Sequence, residues 1–334
     1  MKILITGMTS RMTSFSRESS FPSLLARSLS IFGHDVSMLV EYSGAARYDA
    51  VIAGLASPLA PSSTYLVPTA QTIDEAQQQG KLAAVYIDDP DISKIIHGCA
   101  SALRRPDRLE KPFYASRPGM QAFAENPSLH ATVMAFIERM SAWSWDTVLW
   151  PGHPWAQDKV AGSGYGSFRS VPVDPTAALR QVVAKRWPDT DDVPGRNSPP
   201  GAHWVAETTY FQDHVFDPSI SRQVYDVMTG DELTKTSDMF AMSYGVIHGN
   251  STSPGWWTPF PYLAALTGRI YIPHPDEGRL MGESYYVLPS AVENLDPTTY
   301  SAMAAVQMKQ HEEVACTRRQ LNETLNSVLG SPVS

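Results

Sequence analysis

Met1-Lys2-Ile3-Leu4-Ile5-Thr6-Gly7 opens the chain, and its reading decides the fold class. Ile3, Leu4 and Ile5 form a continuous apolar run, the pattern of a strand buried on both faces. A polar loop from Thr6 to Phe15 follows. Leu24, Leu25, Leu29 and Phe32 then recur at helical spacing, and Gly33 is placed to end that helix. Val36 to Val40 reads as a second strand and Tyr48 to Ala53 as a third. A helix around Ile73 to Gln79 leads into the apolar run Ala83 to Ile87. Strands that alternate with helices imply an α/β fold, with a parallel sheet covered on both faces.

Further along, the segment from Arg104 to Pro118 interrupts this rhythm with Arg and Pro. A helix is expected from about Pro127 to Ala142. Val148-Leu149-Trp150-Pro151 reads as the last strand of a first domain, and the Gly-, Pro- and Trp-rich stretch from Gly152 to Gly166 as a linker. A second domain would hold a helix at 175–186, an apolar run from Phe240 to Gly249, a partly helical stretch from Trp257 to Ala265 and a strand at Arg269 to Ile272. Pro297 to Leu329 reads as one or two long helices. The expected division is 1–152, 153–296 and 297–334.

The chain has 334 residues and a net charge of −8, from 34 acidic and 26 basic residues. A general nucleic-acid binder is usually basic, so any nucleic-acid surface here has to be a local patch. Two cysteines, Cys99 and Cys316, make no disulfide framework and suit a reducing compartment. No apolar stretch reaches the length of a membrane span. The expectation is a soluble cytoplasmic monomer with no membrane contact.

The opening strand also suits a nicotinamide-dependent epimerase or reductase. That chemistry needs several glycines after the first strand, so that backbone can approach a pyrophosphate. The loop here, Gly7-Met8-Thr9-Ser10-Arg11-Met12, has one. His153 and His248 lack partners at metal-ligand spacing, so no zinc site is expected.

Asp88 and Asp89 follow the strand Val85-Tyr86-Ile87. Aspartate before Pro90 suits a solvated turn or a helix cap. It equally suits a general base, since ligands of open parallel sheets sit beyond the carboxyl ends of the strands. An acidic pair can also hold a divalent ion such as Mg or Mn. Arg104, Arg105, Arg108, Lys111 and Arg117 are the densest basic group in this acidic chain. They form either a solvated loop or a set of phosphate contacts.

Tyr165-Gly166-Ser167-Phe168-Arg169-Ser170 is the sharpest motif. A Gly-rich turn that opens a helix presents amides to an anion, and arginine adds a two-pronged donor. The motif resembles a Tyr-Gly-Gly-Ser-Phe-Arg-Ser segment of the phage DNA β-glucosyltransferases, and the rest of the chain is similar to that family in order and spacing. The resemblance implies the GT-B architecture: two Rossmann-like domains facing a cleft, with a C-terminal helix crossing back to the first domain. It implies an inverting transfer of a sugar, glucose first, from a UDP-sugar to the hydroxymethyl group of a 5-hydroxymethylcytosine or 5-hydroxymethyluracil. The partner would be double-stranded phage DNA in the host cytoplasm, with the target base flipped out.

By the same resemblance Asp89 is the catalytic base, with Asp88 beside it. Gly166, Ser167 and Arg169 hold the donor diphosphate, and Gly249 and Thr258 line the donor site. Several family positions differ. The second diphosphate arginine falls at Val173, the donor-binding glutamate falls near Phe21, with Glu18 as a substitute, and a donor-binding Arg and Glu fall at Thr258 and Pro261. The alternatives are the same fold acting on a small molecule, glycan or protein, the nicotinamide enzyme, and a non-catalytic DNA-binding protein.

Overall fold

The computed structural model describes residues 1–7, 21–39, 44–54, 66–86, 147–151, 169–189, 193, 200–207, 221–227, 233–247, 259–273, 285 and 287–330. Two parallel sheets organise them. The first has six strands: β1 (Lys2–Gly7), β2 (Asp35–Leu39), β3 (Ala50–Gly54), β4 (Leu82–Tyr86), β5 (Thr147–Pro151) and β6 (Arg169–Val173), in the order β2-β1-β3-β4-β5-β6. The second has four: β7 (Trp204–Glu207), β8 (Val224–Val227), β9 (Gly245–Ile247) and β10 (Ile270–Ile272), in the order β10-β9-β7-β8.

Helix α1 (Phe21–Ile31) forms where the apolar spacing places it, and buries Phe21, Leu24, Leu25 and Leu29. Gly33 ends it with φ +86°, a conformation that costs glycine little, and the His34 amide returns to the Leu29 carbonyl. Helix α2 (Leu66–Gln78) covers the opposite face of the sheet. There Leu4 and Val51 pack with Ala45 and with Ala76 of α2, while Ile3, Ile5, Ala50 and Ile52 pack on the α1 side. This two-sided burial is what the continuous apolar runs imply.

Strand β6 is a correction to the sequence reading. Val148 to Pro151 is not the last strand of the first sheet, because Arg169–Val173 pairs with it in parallel from Thr147↔Arg169 to Pro151↔Val173. The first sheet therefore extends past residue 152. Val171 and Val173 are buried while Pro172 between them is exposed, and proline is tolerated because β6 is an edge strand. The expected setting of Arg169 at the opening of a helix is likewise replaced by the first position of a strand. Helix α3 starts later, at Thr176–Arg186.

In the second domain, the run from Phe240 to Gly249 is not a single strand. Helix α4 (Leu233–Met242) takes Phe240, Ala241 and Met242, and β9 begins at Gly245. Phe240 is buried edge-to-face on Phe260 of α5 (Phe260–Leu266), with ring centroids 5.1 Å apart. A short helix α6 (Pro289–Val292) precedes the two C-terminal helices.

These are α7 (Pro297–Val314) and α8 (Arg318–Leu329), and they serve different sheets. On α7, Tyr300, Ala304, Gln307 and His311 make the buried stripe. Gln307 bonds both ways to the backbone of Tyr271, which satisfies the open edge of β10. On α8, Leu321 and Leu325 enter the core around Ile3, Ile5 and Leu25, and Arg318 donates to the Ile31 carbonyl at 3.1 Å. Of the segment 297–334, α8 thus returns to the first sheet while α7 stays with the second.

Candidate active site

Strand order locates the ligand edges before any side chain is considered. The first sheet runs 2-1-3-4-5-6, so the chain leaves β1 in one direction for β2 and returns on its other side with β3. In such sheets the crevice lies outside the carboxyl ends at this reversal. Here the last register pair of β1 and β3 is Gly7↔Gly54, with no side chain on either strand end. The second sheet reverses between β7 and β9, at Glu207 and Ile247.

Tyr86 ends β4 beside Gly54, its register partner. Its side chain is buried and meets Phe21 edge-to-face, with centroids 6.1 Å apart. On the same carboxyl edge, the Thr6 hydroxyl and the Trp150 indole N–H are buried with no hydrogen-bond partner among the described residues.

Most of the expected site residues lie outside the described residues. Asp88 and Asp89 follow β4 in the chain. Glu18 belongs to the segment between β1 and α1. Gly166 and Ser167 precede β6, and Gly249 and Thr258 fall between β9 and α5. Arg104, Arg105, Arg108, Lys111 and Arg117 lie between β4 and β5.

Arg169 is among the described residues. It is the first residue of β6, level with Thr147, and so stands at the amino end of the sheet. Its guanidinium donates to the Ser327 carbonyl at 3.0 Å and to the Ser327 hydroxyl at 2.9 Å, which fastens the end of α8. Phe21 and Pro261 are buried, and neither side chain carries a polar atom to offer a nucleotide.

A feature that the sequence reading missed lies where the two chain crossings meet. Asp174, between β6 and α3, accepts the Thr176 amide at 2.9 Å and the Thr176 hydroxyl. It also accepts the Cys316 amide at 2.8 Å. Burial pushes its carboxyl pKa up, against these hydrogen bonds. Nearby, the His311 ring is tilted against Tyr262 and edge-to-face with Tyr285, with centroids 4.9 and 5.7 Å away. Asp174 immediately before Pro175 and Thr176 was the available signal, a helix-start pattern. Among the described residues, no group of three His, Cys, Asp or Glu side chains could hold a metal ion. No helix among them is long and apolar enough to cross a membrane.

No family model matches the chain, and no curated protein is similar to it. Solved structures are similar. T4 phage BGT in complex with its UDP-glucose substrate aligns over 99 % of this chain and 100 % of its own, with a TM-score of 0.56 at 11 % identity. T4 phage BGT in complex with UDP and Mn2+ aligns over the same shares, with a TM-score of 0.52 at 11 % identity. At that identity the likeness is one of fold. The chain has the GT-B fold of the glycosyltransferases, two parallel α/β sheets with a C-terminal helix returning to the first.

Proposed function

We propose that this protein is an inverting glycosyltransferase that moves a sugar from a UDP-sugar, UDP-glucose first, to a hydroxymethyl group on a pyrimidine in double-stranded DNA. The observation that carries the reading is the succession of Asp88 and Asp89 directly after the carboxyl end of β4, beside the bare Gly7 and Gly54 ends at the reversal of strand order. The fold likeness to a protein solved with UDP-glucose supports the donor. The DNA acceptor rests on the sequence resemblance and on the basic group Arg104, Arg105, Arg108, Lys111 and Arg117.

In this reading Asp89 takes the proton of the acceptor hydroxyl as its oxygen bonds to the anomeric carbon. The bond from that carbon to the diphosphate breaks on the opposite face, and UDP leaves with the electron pair. Gly166 and Ser167 would offer an amide and a hydroxyl to the departing charge. Gly249 and Thr258, which follow β9 in the chain, and Glu18, between β1 and α1, would line the donor site. Arg169, tied to Ser327 at the far end of its strand, takes an anchoring role instead. A divalent ion such as Mg or Mn would add positive charge at the diphosphate. The described residues hold no ligand set for one, and no step depends on it.

Mass spectrometry of hydroxymethylated DNA incubated with the protein and a panel of nucleotide-sugars tests the function. Asp89→Asn should lower single-turnover transfer by roughly 10²–10⁴ with donor affinity kept, the contribution of a positioned base. Asp88→Asn should retain transfer. Glycosylation of a small molecule, glycan or protein in place of DNA would move the acceptor class. An absorbance change with a nicotinamide cofactor, and no transfer, would overturn the reading.

A further inference from the structure

Gly54 and Tyr86 make a close fit at the end of the first sheet. They are the last register pair of β3 and β4. A Cβ added at Gly54 would overlap the Cζ and hydroxyl of Tyr86 and stand 2.8 Å from its Cε1. The ring therefore lies across the strand end, in the space a side chain on β3 would fill. The ring also meets Phe21, the first residue of α1. One buried ring thus joins the ends of β3 and β4 and the start of α1, next to the crevice marked by Gly7 and Gly54.

Gly54 is absent from the glycines with positive φ, so its backbone suits any residue. The three atoms nearest to an added Cβ all belong to this ring. Core packing needs no such arrangement, since a smaller residue at 86 would accommodate a side chain at 54. Asp88 and Asp89 follow Tyr86 in the chain, so whatever fixes the exit of β4 fixes their starting point.

We infer that Tyr86, seated on Gly54, is a positioning residue that sets the exit of β4 and through it the placement of Asp88 and Asp89. This rests on the proposed role of those carboxylates. The role inferred for the ring is to position the backbone, not to react. It acts by holding the strand end, and a displacement of about 1 Å at a catalytic group costs up to about 10²-fold in rate.

The test uses the full chain and reads three quantities: single-turnover sugar transfer, UDP affinity by calorimetry, and hydrogen exchange of a peptide covering residues 87–89. Gly54→Ala and Tyr86→Leu should each slow transfer by about 10–100-fold with UDP affinity unchanged. They should also speed exchange at 87–89 but not at β9. Tyr86→Phe, which keeps the ring, should retain most of the rate. The double variant Gly54→Ala/Tyr86→Leu should be no slower than the worse single variant, because both act through one contact. Should Gly54→Ala fail to fold, the two Tyr86 variants carry the comparison. Transfer at the parent's rate in Tyr86→Leu, with unchanged exchange at 87–89, would reduce the pair to packing. If the parent transfers no sugar, the functional reading fails by itself, and the exchange of residues 87–89 still decides whether Tyr86 holds the strand exit.

Discussion

The Cys316 amide donates to the Asp174 carboxylate at 2.8 Å, and the Cys316 thiol donates to the Asp174 backbone carbonyl at 3.0 Å. Asp174 lies where the chain leaves the first sheet after β6. Cys316 lies where it returns, between α7 and α8. The two passages between the domains are joined at this one pair.

Removing the carboxylate should loosen that joint. Asp174→Ala leaves the Cys316 and Thr176 amides without their acceptor, at a cost of about 1–3 kcal/mol for each buried orphan. Urea unfolding should show a lower midpoint. Asp174→Asn should cost less, since it keeps the shape and one acceptor. A parent-like midpoint for Asp174→Ala would show that the pair contributes nothing.

Cys316 should be an unreactive thiol in the folded protein. Burial, followed by the charge and hydrogen bond of Asp174, pushes its pKa up to about 12. Against an ordinary cysteine near 8.5, that lowers the thiolate fraction at pH 8 by roughly 10³. In a Cys99→Ser background, native protein should react with iodoacetamide far more slowly than urea-unfolded protein. Equal rates would mean that the thiol is open to solvent.

Glu293 should make folding sensitive to acid. Burial alone would raise its pKa, but the Ser221 and Arg222 amides, each at 2.6 Å, hold the carboxyl below its usual value of 4.5. The folded pKa is below the unfolded one, so this stabilisation is present above about pH 4.5 and is lost as pH falls through the folded value. Glu293→Gln should destabilise by about 1–3 kcal/mol at neutral pH, because one amide loses its acceptor. The gap from the parent should narrow below the folded pKa. A gap independent of pH would assign the effect to packing.

Arg169→Ala separates anchoring from donor binding. The guanidinium is exposed and bonded to Ser327, so its loss should free the end of α8 and cost about 0.5–1.5 kcal/mol of stability. Nucleotide affinity measured by calorimetry should stay near the parent's. A loss of about 1.5–3 kcal/mol in nucleotide binding, the range for a charged hydrogen bond, would return Arg169 to the donor site.

By itself, the sequence determined the local elements whose signals are local. The Ile3 to Ile5 strand, the helix stop at Gly33, the helix expected at 175–186 and observed at Thr176–Arg186, and the long C-terminal helices all follow from side-chain periodicity and backbone preference over a few residues. Tertiary structure decided what depends on a distant partner. Phe240 to Gly249 is apolar enough for strand or helix, and packing of Phe240 on Phe260 settled its first part as helix. Strand β6 is legible in hindsight from buried Val171 and Val173 around exposed Pro172. Its membership of the first sheet exists only through pairing with β5, which no periodicity encodes. For the same reason Arg169 carries a phosphate-binding motif in sequence and faces Ser327 in the fold, 158 residues along the chain. Side-chain chemistry is written residue by residue, whereas the end of a strand at which a side chain stands is set by how the whole sheet assembles.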